Sequence, residues 1–191
     1  PYTVFFVDEG ENNDDYGIIS GEIVKRGTIV VITNDFDSDD TANVVQSLSL
    51  IESIVELMNT TNSTNNLIPS SFGNIDLNHW GVSGHGVGAA VAYSVFPFWP
   101  ESELSANIQP PRSLFGLGID FSGWAEGDGW SNIKPESWSI DPATPATGLF
   151  MTGTVDEIAR GQDNLPVISA TEQLGWHWMH VLGADHYQFQ D

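Results

Sequence analysis

Apolar residues along this 191-residue chain cluster in short β-rich runs, separated by polar or glycine-rich stretches and interleaved with helical patterns. Tyr2 to Val7 and Thr28 to Thr33 are built mainly from β-branched and aromatic side chains and predict strands. The second run is almost wholly β-branched, the signature of a central parallel strand buried on both faces. Ile18 to Val24 predicts another strand, followed by a turn at Lys25-Arg26-Gly27. Trp80 to Ser83, Ser113 to Ile119, Gly148 to Thr152 and Trp176 to Leu182 predict four more. Val44, Leu48, Ile51, Val55 and Met58 recur every three or four positions, so Thr41 to Met58 is an amphipathic helix, capped by Asp39, Asp40 and Thr41. Ala89 to Phe96 and Leu165 to Leu174 predict two further helices. Strands alternating with helices imply the α/β class: three α/β/α layers around a mostly parallel central sheet, in one domain spanning 1–191.

The connections differ in character. Asp8 to Asp15 is an acidic loop, Asn59 to Asn66 is polar, and Pro97 to Pro111 is Pro-rich. Asp120 to Ala146 is long and irregular and carries Trp124, Trp130 and Trp138. A loop of that length in a compact domain points to a lid or a binding loop. Asn34 to Asp40 alternates carboxylates as a calcium loop does, but Asp40 stands where glycine is needed and Gln46 where the bidentate glutamate belongs. It reads instead as a solvated capping loop. His177 and His180, three apart on a strand, face opposite sides and make a poor metal pair. No metal and no cofactor are expected.

Charge narrows the partners. With 26 acidic residues against 5 basic ones the net charge is −21, and the only lysines are Lys25 and Lys134. Nothing here would neutralise phosphates, so nucleic acid is excluded as a partner. An acidic coat suits high salt or a marine setting, where ions screen its self-repulsion. Cysteine is absent, so disulfides and thiol chemistry are too. No apolar run is long enough to span a membrane and no signal peptide is evident. The chain starts at Pro1 without Met, as after removal of a leader or of a longer N-terminal part, and the expected location is secreted or extracellular. Asn59-Thr60-Thr61 and Asn62-Ser63-Thr64 match the glycosylation triplet, in a run where such matches arise easily by chance.

The candidate chemistry gathers around residues 79 to 96. A short strand, Trp80 to Ser83, runs through the glycine-rich turn Gly84-His85-Gly86-Val87-Gly88 into a helix. Such a turn brings the N–H groups of a helix start to the strand's C-terminal edge, where open α/β sheets place ligand sites. The turn resembles the nucleophile elbow of α/β-hydrolases, in the Gly-His-Ser-x-Gly-Gly form of chlorophyllases, dienelactone hydrolases and cutinase-like polyester hydrolases. Here Gly86 holds the serine's place. Further along, Gly153-Thr154-Val155-Asp156 is similar to the Gly-x-x-Asp of that family's acid, and Gly183-Ala184-Asp185-His186 to its Gly-x-x-His. The order nucleophile, acid, histidine is the family's own. The resemblance covers roughly residues 28 to 191. It implies a compact α/β-hydrolase fold without a large cap domain and a site of Gly86 (the nucleophile slot), Asp156 and His186. The oxyanion-hole N–H groups would come from Val87 and Phe36, and the substrate cleft from Phe36, His85 and Trp124. Asp35 replaces the glycine usual before that aromatic residue, a second departure from the pattern.

A glycine has no nucleophile, and Ser83 lies too early on the strand to replace it. The resemblance therefore implies a relative of carboxylic ester hydrolases (lipase, cutinase or polyester type) with little or no serine-hydrolase turnover. Its partner, if active, is a small or polymeric ester. Two other readings remain. One is a non-catalytic binding or structural protein on the same scaffold, with a protein partner or self-association. The other is a dinucleotide-binding domain, because Gly84 to Ala89 also satisfies Gly-x-Gly-x-x-Ala, with Glu101 and Glu103 near the distance of a ribose-binding acid.

Overall fold

The computed structural model describes residues 1–8, 10–33, 49–54, 56, 75–121, 146–161 and 175–190. Six strands form one sheet: β1 (Tyr2–Phe6), β2 (Ile29–Thr33), β3 (Trp80–His85), β4 (Ser113–Leu117), β5 (Thr147–Gly153) and β6 (Gly175–Val181). Their order is β2-β1-β3-β4-β5-β6, and every pairing is parallel. Parallel neighbours cannot be joined by a tight turn, so each connection must cross back over the sheet. This corrects one expectation: Ile18 to Val24 lies in a helix, α1 (Gly17–Val24), entered through a 3-10 turn at Asn13–Tyr16. The Asp15 carboxylate accepts the Asn12 N–H at 2.9 Å and fixes the start of that turn. The β-branched residues of α1 favour a strand locally, but the crossover from β1 to β2 overrides them.

A second expectation also needs correction. Thr28 to Thr33 reads as a central strand, yet β2 is the edge of the sheet among the described residues and is mostly half-buried. The buried central partner is β1, whose Val4, Phe5 and Phe6 have no exposure. A β-branched run reports a strand, not how deeply it is buried or where in the sheet it lies.

Period-two alternation sorts side chains into two layers. Tyr2, Val4, Phe6, Val82, Leu114 and Phe150 face one side, where they meet helix α2 (Gly86–Phe98) and Ile51 and Ile54 of a helical stretch at 49–54. Phe5, Val7 and Leu117 face the other, against Tyr16 and Ile19. Full burial of each such side chain is worth about 1.5–3 kcal/mol. The small residues Ala89, Ala90 and Ala92 are buried along α2 and let it lie close on the sheet. Pro97 falls in its last turn, and 3-10 turns follow at Trp99–Glu101 and Glu103–Ala106. The helix expected at Leu165 to Leu174, the loop Asn34 to Asp40, the triplets near Asn59, and Trp124, Trp130 and Trp138 lie outside the described residues. Within those residues no helix is long and apolar enough to cross a membrane.

Candidate active site

β3 runs straight into α2 with no intervening loop: His85 ends the strand and Gly86 begins the helix. The chain reverses there through Gly86, whose φ of +53° lies in the left-handed region that glycine adopts without steric cost. The neighbouring glycines answer to contact. A Cβ on Gly84 would stand 2.5 Å from the Gly88 carbonyl, and one on Gly88 would overlap the Phe6 and Val7 carbonyls of β1. The Gly86 carbonyl accepts the Asp120 N–H at 3.0 Å, which ties the corner to the segment after β4.

The loops after β5 and β6 bring Asp156 and His186 together beside this corner. Asp156 Oδ1 accepts the N–H groups of Ile158 and Ala159 at 3.0 and 2.7 Å, which orients the carboxyl group. Its Oδ2 lies 3.1 Å from His186 Nδ1. The loops themselves are joined by the Val155 N–H donated to the Ala184 carbonyl at 3.1 Å. Gly118, at the end of β4, packs beneath the pair: a Cβ there would stand 3.1 Å from His186 Nδ1.

Asp8 completes the site. It follows β1 and reaches across to the corner: Oδ2 lies 2.7 Å from His186 Nε2, and Oδ1 accepts the Val87 N–H at 2.8 Å. A Cβ built on Gly86 would overlap the Asp8 carboxylate. A carboxylate from the segment after another strand thus fills the volume that a side chain at position 86 would take, and it engages the histidine that a nucleophile there would meet and the N–H that an oxyanion would meet. Burial alone would raise its pKa. The bonds from His186 and Val87 and the nearby imidazoles outweigh that and lower it. For His186 burial opposes the charged form, but Asp8 and Asp156 prevail and its pKa is raised. Two carboxyl groups thus flank the His186 imidazole, and together they favour its charged form. The His186 and Asp156 side chains are 2% and 0% exposed, while Asp8 keeps 13%.

His85 lies under this row with a fixed tautomer. Its Nε2 is 3.0 Å from the His186 carbonyl, which can only accept, so Nε2 carries the proton. Its Nδ1 then accepts from the Tyr16 hydroxyl at 2.8 Å, and that hydroxyl accepts the Asp8 N–H at 3.2 Å. Burial, with the neighbouring His186 charge, pushes the His85 pKa down to about 4. The two imidazoles stack with centroids 4.5 Å apart.

Of the residues singled out in the sequence, Gly86, Val87, His85, Asp156 and His186 meet at this point. Phe36 and Trp124 lie outside the described residues. β3 lies between β1 and β4, and the segment after β1 carries Asp8 to the corner. Ser83 is buried on β3 and is paired with Thr3 Oγ1 at 3.1 Å. Asp8 and Tyr16 escaped the sequence reading. The available signal was position: Asp8 follows a strand, and strand C-termini carry ligand groups in parallel sheets. Six further acidic or amide residues among positions 9 to 15 concealed it. Asp8, His85 and His186 also offer ligand atoms within 4.8 Å of one another. Every one of those imidazole nitrogens already has a hydrogen-bond partner, which a metal ion would have to displace.

No family model matches the chain, and no curated protein matches it in sequence. Solved structures do match in shape. A truncated carbohydrate esterase from gut microbiota superposes with a TM-score of 0.68 at 14% identity, over 98% of this chain and 79% of that one. A CIB-like hydrolase from Thermoplasma acidophilum gives 0.62 at 10% identity, over 97% and 76%. The RedJ thioesterase of the prodiginine pathway in Streptomyces coelicolor gives 0.60 at 13%, over 100% and 80%. The chain has the α/β-hydrolase fold: one parallel six-stranded sheet with helices. At these identities the likeness is one of fold.

Proposed function

We propose that this protein descends from carboxylic ester hydrolases of the lipase, cutinase and polyester type and has lost serine-hydrolase turnover. The observation that carries the reading is the pairing of Asp156 with His186 beside a left-handed Gly86 whose side-chain volume is filled by Asp8. In a serine hydrolase that histidine takes the nucleophile's proton, the aspartate holds its tautomer, and the N–H after the nucleophile stabilises the oxyanion. Here His186 and the Val87 N–H are both engaged by Asp8. Ester carbonyls meet neither an attacking hydroxyl nor a free donor at Val87.

The test is a paired substitution. Gly86→Ser alone leaves the new side chain in collision with the Asp8 carboxylate and is expected to gain no activity. Gly86→Ser with Asp8→Gly clears the volume and frees His186 and Val87. We expect the double variant to hydrolyse a short p-nitrophenyl ester at least about 100-fold faster than the parent chain. A double variant that folds and shows no gain would favour the second reading, a binding or structural protein held together by the buried charge row. For a dinucleotide-binding domain the observations speak less well. The Val87 N–H that would meet a phosphate faces a carboxylate, and Glu101 and Glu103 fall in 3-10 turns, not at a strand end. A saturable fluorescence change on NAD titration would reverse that ranking.

A further inference from the structure

A groove of about 400 Å³ opens at the N-terminal ends of β1, β3 and β4, the opposite end of the sheet from the glycine corner. About 16 Å of β3 separates the two, from Trp80 to His85. The groove lies on the sheet face that meets α1, since Ile23 of that helix lines it together with Thr3, Gly81, Ser83 and Phe115. Toward the strands' C-terminal ends the same face carries Phe5, Val7 and Leu117, packed against Tyr16 and Ile19. Toward their N-terminal ends the side chains shrink. Thr3 pairs with Gly81 across β1 and β3, and Ser83 lies two places further along β3. Room is left between this floor and α1. Glycine inside a strand often marks a close approach by another group, and here the Ser113 hydroxyl lies over Gly81. The deeper hydroxyls are satisfied within the sheet: Ser83 donates to the Val4 carbonyl at 3.4 Å and accepts from Thr3 at 3.1 Å. The floor therefore asks for no polar partner, and Ile23 and Phe115 offer apolar walls.

Charge supplies the second observation. The chain carries 26 carboxylates, yet no aspartate or glutamate lines this groove. Arg112 does line it, and that residue is exposed. Among the described residues no carboxylate pairs with its guanidinium, whereas Lys25 is paired with Glu22. His79, the other basic side chain of the lining, is taken by Asp76. A lone guanidinium beside an apolar cleft, in so acidic a protein, is a place kept for an anion from outside.

We propose that this groove binds an amphipathic carboxylate: a hydrocarbon acid whose head group pairs with Arg112 and whose chain lies along Ile23 and Phe115. The planar guanidinium matches a carboxylate in two parallel hydrogen bonds. A single cation favours a singly charged head, because a dianion would keep an unpaired charge facing a molecule of net charge −21. The volume falls within the range of small-molecule sites. The proposal stands apart from any chemistry at Gly86.

The test is calorimetric titration of the parent chain with octanoate and, separately, with 1-octanol, at about 0.5 M NaCl so that the net charge is screened. Saturable binding of one octanoate is expected, with octanol at least about 10-fold weaker. Arg112→Gln should weaken octanoate by at least about 10-fold and leave octanol unchanged. Thr28→Phe, which narrows the groove beside Ile23, should weaken both ligands. No saturable octanoate binding would overturn the proposal. So would octanol binding as tightly as octanoate, which would mean an apolar cleft without a head-group site. Unchanged octanoate affinity in Arg112→Gln would place the ligand elsewhere, the glycine corner included, and would overturn it too. Should Thr28→Phe fail to fold, Arg112→Gln decides alone, because that side chain is exposed and supports no other described group.

Discussion

His85 and His186 lie in contact yet respond to pH in opposite senses. The folded His85 holds its pKa near 4 against an ordinary 6.5, so the unfolded chain takes up a proton first as pH falls. Its contribution to stability is therefore lost from about pH 6.5 down to 4. His186 is raised in the fold, so its contribution is complete below its unfolded value and disappears as pH climbs through the folded one. Asp8 is lowered, and its contribution holds above its unfolded value and fades as pH falls through the folded one. Thermal unfolding across pH should show His186→Gln flattening the alkaline decline and His85→Gln flattening the acid one. Tyr16 offers a separate check. Tyr16→Phe leaves the buried His85 Nδ1 without its donor and the Asp8 N–H without its acceptor. The expected loss is about 1–3 kcal/mol in urea unfolding. These pairings were beyond the sequence, because Tyr16 and His85 are 69 positions apart and nothing in an acidic loop announces a buried phenol.

Among the elements, strands were the most legible. β1, β4, β5 and β6 fall where alternation and β-rich composition put them, because a covered sheet face demands such side chains at every second position. α1 was misread because its composition is β-like and its conformation is dictated by the parallel pairing of its neighbours. A close contact between two strands offers a test of element packing. Gly148 faces Trp176 across the β5–β6 pairing, and a Cβ at Gly148 would overlap the indole. That ring cannot withdraw easily, since Tyr93, Phe96 and Phe150 surround it. Gly148→Ala should cost about 1–3 kcal/mol by overpacking, and Trp176→Leu about as much by the space it leaves. The double variant should lose clearly less than the sum of the two, and a double-mutant cycle measures the difference.

Across the whole molecule the dominant quantity is the charge of −21. Like charges at that density repel, and salt shortens their reach from about 10 Å at 0.1 M to about 3 Å at 1 M. The midpoint of thermal unfolding should rise over that range of NaCl, as suits the exported, high-salt setting we propose. A flat or falling midpoint would show that the acidic surface is not under strain. The buried row of Asp8, His186 and Asp156 is shielded from those ions and should contribute little to the slope.

The pairing of Asp156 with His186 was implied by the resemblance to α/β-hydrolases; read alone, the sequence determined the class of the fold and the sharp corner at Gly86. These are local matters: periodicity, glycine at a left-handed position, and polar residues at strand ends. The tertiary structure decided which strand ends are neighbours. By placing β1 and not β2 against β3, it carried Asp8 to the corner and onto His186, 178 positions away. Sheet order follows from the sum of contacts over both layers, and no local pattern encodes that sum.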